Sequence, residues 1–209
     1  MKSHLSIAFS LTTLLLALSV STPAQALIEL KGGYSLHTVT PSELNDTFAA
    51  YPKIDGLESI SADVTTTVPL IPFGLGIRYE TIKKTVTSGA NSSKVDWTRT
   101  SVLMNKRWID TLFYIGPIAT ISVTNDFKYT TDNGTDLTYK TANPITGTVG
   151  FEAGAKLMVL RLGGEVGYMY APMGEIKNSS GTTVVGANGS AINVDMSGVY
   201  YRATIGFGF

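Results

Sequence analysis

Residues 198–209 read "GVYYRATIGFGF". Counting back from the carboxyl end, Phe209, Phe207, Ile205, Ala203, Tyr201 and Val199 share one face of an extended chain, and Gly208, Gly206, Thr204, Arg202, Tyr200 and Gly198 share the other. Successive strand side chains point to opposite faces, so this two-residue rhythm predicts a strand with one apolar side. The rhythm recurs upstream. In "LIELKGGYSLH" (27–37), Ile28, Leu30, Tyr34 and Leu36 oppose Glu29, Lys31, Gly33, Ser35 and His37. "SISADVTTTV" (59–68), "FGLGIRYE" (73–80), "TVGFEAGAKLMV" (148–159) and "LRLGGEVGYMY" (160–170) repeat it. Two further strands, about Asp96 to Arg107 and Thr111 to Thr124, carry polar residues on both faces, and Pro117 interrupts the second. Eight strands are expected.

The first 26 residues, "MKSHLSIAFSLTTLLLALSVSTPAQA", hold a lysine, an apolar run from Leu5 to Val20 and Ala24-Gln25-Ala26 as a small-x-small cleavage site. They read as a secretory signal peptide. Their removal from 209 residues leaves 183, residues 27–209, enough for one domain. The exported part carries 15 Lys+Arg against 16 Asp+Glu once Lys2 is gone, so nothing draws it to nucleic acid. With no cysteine, disulfides, thiolate metal sites and a cysteine nucleophile are excluded. No later segment offers the ~20 apolar residues of a membrane helix. If the chain sits in a membrane, it does so as strands.

Connections alternate in length. Long polar stretches follow the first, third, fifth and seventh strands, near 38–57, 84–95, 125–146 and 171–193, and only a few residues follow the second, fourth and sixth. Short turns at one rim, long loops at the other and an even strand count are the layout of a transmembrane barrel. The fold expected is all-β: an eight-stranded antiparallel up-and-down barrel with short periplasmic turns and long outer loops. The third long stretch is expected to form a hairpin above the membrane, with Asn133-Gly134 at its tip and Tyr129 and Tyr139 on its arms.

Alternation alone leaves open a soluble lipocalin-like barrel with the faces reversed. The polar face decides, because it gathers Gly33, Gly74, Gly76, Gly150, Gly154, Gly163, Gly167, Gly198, Gly206 and Gly208. A solvated surface has no need of so much glycine, whereas the lumen of an eight-stranded barrel is only wide enough for side chains. The same face carries Glu29, Asp63, Glu80, Glu152 and Glu165 against Lys31, Arg78, Lys156 and Arg202. Buried charges need partners, so a structural ion-pair network filling the lumen is expected. A proton or ion path is the functional alternative. Tyr34, Phe73, Tyr79, Trp97, Trp108, Phe113, Tyr168, Tyr170, Tyr201 and Phe209 lie near strand ends, as interfacial aromatic girdles require.

In the first long loop, "TPSELNDTFAAY" (40–51) has Thr40 as a cap, Pro41 at the first helical position and Glu43 three after the cap, a capping-box start. Leu44, Phe48 and Tyr51 follow on one face, so a short amphipathic helix is expected to close the barrel mouth. "TDNGTD" (131–136) lacks the acidic spacing of a calcium loop and reads as a turn.

With its signal peptide, strand rhythm, alternating loop lengths and terminal "YYRATIGFGF", the chain resembles the small outer-membrane barrels of Gram-negative bacteria, of the OmpA-transmembrane-domain and OmpX type. In that family an aromatic carboxyl terminus preceded by alternating apolar residues is read by the outer-membrane assembly machinery. The resemblance implies this role for Tyr201, Phe207 and Phe209. It also implies residence in the outer membrane as a monomer among lipids and lipopolysaccharide. Some relatives modify lipid A with a histidine, a serine and an acid. His37, two residues from Ser35, is the residue here that suits such chemistry, but it reads as a loop-rim histidine without special role. The expected function is a structural or surface-interaction role carried by the outer loops, non-enzymatic, with no cofactor and no metal. A narrow pore or conduit for small molecules and a lipid A-modifying enzyme using His37 are the alternatives.

Overall fold

The structure, a computed structural model, describes residues 27–67, 73–133, 137–141, 144–186 and 189–209. The proposed signal peptide lies outside them. Eight long strands make the wall: β1 (Leu27–Thr38), β2 (Leu57–Thr67), β3 (Gly74–Ser88), β4 (Asn91–Asn105), β6 (Phe113–Asp132), β8 (Gly147–Leu157), β9 (Leu160–Tyr170) and β12 (Gly198–Gly208). Each pairs antiparallel with its neighbours in chain order, β6 pairs with β8, and β12 returns to β1, so the sheet closes on itself. The seam runs from Glu29 opposite Gly208 to Thr38 opposite Val199. Backbone hydrogen bonds in both directions between Ile28 and Phe209 continue it to the carboxyl end.

Smaller elements sit at the rims. β5 (Ile109–Asp110) pairs with β6 at the turn end, and helix α1 (Ser42–Thr47), β7 (Leu137–Thr141), β10 (Pro172–Lys177) and β11 (Asn193–Asp195) build up the loop end. No described helix is long and apolar enough to cross a membrane. The apolar surface is on the strands: Ile60 is 70 % exposed, Val149 62 % and Ile205 56 %, within a continuous belt that includes Val64, Ile77, Ile121 and Phe151. Soluble monomers rarely expose apolar patches beyond a few hundred Å². Here the belt encircles the molecule, as hydrocarbon contact demands.

The two strands whose alternation is blurred in the sequence show why. β3, β4 and β6 outrun the belt, and above it the pattern inverts. Ile82, Val95, Trp97, Phe127 and Tyr129 point inward and are buried, while Lys83, Lys94, Asp96 and Asp126 point outward. A bulge compounds this on β6: Thr100 faces Thr124 but Ser101 faces Ser122, so Val123 is an extra residue and the inward set changes from even to odd numbers. The stretch 84–95, expected as a loop, is the paired tip of the β3–β4 hairpin. It closes through Ser88 opposite Asn91 around Gly89, whose φ of 60° suits glycine. The expected 125–146 hairpin is present, with Tyr129 opposite Tyr139, while Gly134 at its tip lies outside the described residues.

The loop end is a cap with its own apolar core. Val39, Leu44, Ile54, Leu57, Ile82, Trp97, Phe127, Met169, Ile176, Val194 and Met196 belong to one buried cluster. Leu44 of α1 is fully buried in it, and the Phe48 ring lies 5.1 Å from that of Tyr129 and 4.9 Å from that of Tyr139. The helix is shorter than expected and starts differently. Pro41 is its N-cap, and no side chain caps it. Glu43 instead accepts a hydrogen bond from the Asn193 backbone N–H at 2.9 Å, tying the first long loop to the fourth. Phe48 is the C-cap, and Tyr51 lies beyond the helix. Asn45, buried, braces the loop by bonding both the N–H and the C=O of Ile54. Truncating a buried leucine costs about 2–5 kcal/mol. Leu44→Ala is therefore expected to lower hydrogen-exchange protection of cap amides by a corresponding factor and to leave the wall strands unchanged; equal protection in the cap would contradict this packing.

Candidate functional site

Inside the belt the lumen is filled by ion pairs in three tiers. At the turn end, Arg107 donates from both terminal nitrogens to Glu29 at 2.7 Å each and from Nε to Glu152 at 3.0 Å. Lys31 Nζ donates to Glu152 at 3.2 Å, Asn105 also donates to Glu152, and Arg161 stands 3.5 Å from Glu29. In the middle, Arg78 and Arg202 each grip both oxygens of Asp63 at 2.9–3.0 Å and both donate to Glu165, at 2.8 and 2.6 Å. Above them, Arg99 Nε donates to Glu80 at 2.7 Å, and the Ser59 hydroxyl donates to the other Glu80 oxygen at 2.6 Å. Every one of these charged side chains is at least nine-tenths buried.

Planar guanidinium forks matched to carboxylates in a bidentate way are the geometry in which a buried charge can offset its desolvation. The glycines make room for them. A Cβ on Gly33 would collide with Arg202 Nε, and one on Gly163 would collide with the Tyr114 hydroxyl. Tyr114 in turn lies beneath Arg107, whose guanidinium carbon is 4.3 Å from its ring centre.

Of the residues singled out from sequence, Glu29, Lys31, Asp63, Arg78, Glu80, Glu152, Glu165 and Arg202 are placed in the lumen. Lys156 is not among them. It stands one residue before the end of β8, so its chain reaches the rim and pairs with the half-exposed Asp110 at 2.5 Å. Arg99, Arg107 and Arg161 complete the network instead. Arg99 is obscured because β4 has no clean alternation, Arg107 lies in the turn beyond the end of β4 where no strand rhythm orients it, and Arg161 faces the lumen beside the turn at 158–159. Five carboxylates thus meet six cations among the described residues.

His37 is neither at a loop rim nor exposed. It is buried beneath the cap, 3.1 Å from the Ser59 hydroxyl and 3.6 Å from Glu80, while Ser35 makes no hydrogen bond to it. Trp97, expected in a girdle, is fully buried in the cap and donates to Asn125 at 3.0 Å. The exposed aromatics Tyr34, Tyr79, Trp108, Phe113, Tyr168, Tyr170 and Tyr201 do lie on the outer face. In the cap, burial raises the Tyr129 phenol above its ordinary value, with its hydrogen bond to Ser93 acting the other way. Among the described residues no group of histidines and carboxylates is placed to hold a metal ion.

No protein-family model matches the chain, and no curated protein matches it. Its fold is similar to that of Ail, the attachment invasion locus protein of Yersinia pestis, solved in complex with the heparin analogue sucrose octasulfate. The likeness has a TM-score of 0.56 and 9 % identity, and covers 88 % of this chain and 99 % of that one. A major outer membrane protein from Thermus thermophilus is similar to the same degree, with a TM-score of 0.57, 12 % identity and the same two coverages. At these identities the likeness is one of fold. The molecule is a β-barrel of the outer-membrane type, apolar outside and ionic within.

Breaking a buried ion pair by removing one partner costs about 3–5 kcal/mol. Asp63→Leu leaves Arg78 and Arg202 sharing Glu165 alone, so its urea midpoint in detergent micelles is expected to fall by that equivalent. A loss below about 1 kcal/mol, the scale of a surface bridge, would contradict a tightly packed network.

Proposed function

We propose that the protein is a non-enzymatic, non-conducting barrel of the outer membrane whose loop end is a preformed platform for contacts at the cell surface. The observation that carries this reading is the cap. Loops whose only task is to connect strands need no core of their own, whereas these four fold around one and are cross-tied by Glu43 to Asn193 and by Asn91 Nδ2 to the Ala50 carbonyl at 2.8 Å. A surface held rigid in this way binds without first losing loop entropy. A barrel of this fold from Yersinia pestis carries attachment in its name, which lends the reading a precedent.

The lumen supports the non-conducting part. Its charges are mutually bonded in three tiers, and the apolar cap core lies over them. The enzymatic alternative needs His37 to meet a lipid substrate. In this fold His37 is buried between its directly opposed neighbours Leu57 and Tyr200, its serine neighbour Ser59 is committed to Glu80, and Glu80 is committed to Arg99. In planar bilayers the full barrel is expected to give no single-channel steps. Steady channels from the unmodified protein would favour the conduit reading over the platform.

We further propose that β12 serves in assembly. Tyr201 and Phe207 face hydrocarbon, and Phe209 ends the strand that closes the seam against β1. Lipid contact and recognition by the assembly machinery therefore fall on the same side chains. Deleting Phe209 is expected to slow appearance of the heat-modifiable folded band in the membrane fraction. Unchanged kinetics would show that the terminal aromatic is not the tag.

A further inference from the structure

In the turn-end tier one carboxylate holds an amine and an amide together. Lys31 Nζ donates to Glu152 Oε2 at 3.2 Å, and Asn105 Nδ2 donates to Glu152 Oε1. All three side chains are buried, with 3 %, 2 % and 6 % of Lys31, Glu152 and Asn105 exposed. They come from β1, β8 and β4, so the chain brings them together only by closing the barrel. The backbone fixes their approach. A Cβ on Gly206 would meet Lys31 Cγ at 2.7 Å, and a Cβ on Gly74 would collide with Asn105 Oδ1. The Lys31 stem thus lies against β12, and the Asn105 amide turns its oxygen to β3 and its nitrogen to Glu152. Leu103, two residues before Asn105, and Ile118, directly opposite it, are buried apolar neighbours that keep water from the amide.

The tier also carries one positive charge too many. The middle tier sets two arginines against two carboxylates, and Arg99 matches Glu80, but here Lys31, Arg107 and Arg161 share Glu29 and Glu152. Asp110 beside Arg107 is at the rim, where Lys156 matches it. A buried cation without an anion of its own is strongly unfavourable. A reaction that removes the Lys31 charge leaves two arginines to two carboxylates.

We propose that Lys31 and Asn105 join in an isopeptide bond with Glu152 as proton carrier, the ion pair of Lys31 and Glu152 being the state before reaction. Glu152 takes a proton from the Lys31 ammonium and passes it to Nδ2 as the freed amine attacks Cγ of Asn105. A second proton shed by Nζ follows the same route. The Nζ–Cγ bond forms, the Cγ–Nδ2 bond breaks and ammonium departs, carrying the surplus charge away and leaving Glu152 as it began. The step needs no oxidant and no co-reactant, and the packing holds both reacting groups on one carboxylate, which makes it unimolecular. Its product ties β1 to β4 through the lumen. The bond depends on the packing of this tier and not on what the loops bind.

The test is intact-mass spectrometry of the full barrel before and after folding from urea into detergent micelles. Folding is expected to lower the mass by about 17 Da, one ammonia. Digestion of the folded protein should yield a peptide pair joined through Lys31 and Asn105, with no tryptic cut after Lys31. Lys31→Arg, which keeps the cation, and Glu152→Gln, which removes the proton carrier, should each fold without change of mass. Heat-modifiable mobility identifies folded variants, and Asn105→Ala replaces either one that does not fold. A folded, unmodified barrel that keeps its unfolded mass and is cut after Lys31 overturns the proposal. So does a loss of ammonia that persists in Lys31→Arg or Asn105→Ala, because it belongs to a different asparagine. A joined pair that forms equally fast in folded Glu152→Gln overturns the role of Glu152.

Discussion

Hydrocarbon offers no hydrogen-bond partner, so a backbone that crosses it must satisfy every N–H and C=O within itself. For strands the solution is closure, and the seam between β1 and β12 is what makes this sheet edgeless. Closure then dictates side-chain placement. One face of every wall strand meets lipid and must be apolar, so any charge on those strands is forced into a narrow lumen. A charge forced inside must be paired there. The bidentate square of Arg78 and Arg202 with Asp63 and Glu165 and the glycines flattened beside it are two consequences of that single requirement.

The requirement has a ceiling, and the chain changes its logic there. Where β3, β4 and β6 rise above the lipid belt, water replaces hydrocarbon outside, and the apolar side chains move in. Glu80 and Arg99 mark the last ionic tier, and Ile82 and Trp97, two residues further along the same strands, begin the apolar core of the cap. One continuous sheet is thus inside-out at one height and outside-in at the next. The cap core seals the ionic lumen from above and holds the loops in one arrangement, so the same inversion links stability to the surface that the cell presents.

Much of this is legible in residues 198–209 and their counterparts, because a strand buried in lipid over its whole length keeps one rhythm throughout. Glu29, Asp63, Arg78, Glu165 and Arg202 are recognisable on that basis, since each sits between residues of clear orientation. Arg99 is not, because β4 crosses the ceiling and has apolar residues on opposite faces above and below it, and Arg107 is not, because it lies in the turn past Asn105, where β4 ends. The bulge at Val123 obscures β6 further by changing the parity of its inward positions. Lys156 misleads for a different reason: parity assigns a direction, but the last residues of a strand can escape to the rim. The capping box at Thr40 also misleads, because Glu43 has a better partner in Asn193, 150 residues away, which no local pattern reveals.

The most direct test asks which face of β12 touches hydrocarbon. The chain lacks cysteine, so single cysteines can be introduced without background and spin-labelled in reconstituted vesicles. Power-saturation measurements against lipid-dissolved oxygen are expected to give high accessibility at 199, 201, 203, 205 and 207 and low values at 200, 202, 204 and 206. The reverse parity, or uniform accessibility to a water-soluble relaxant along the strand, would contradict a barrel with lipid outside and ion pairs within.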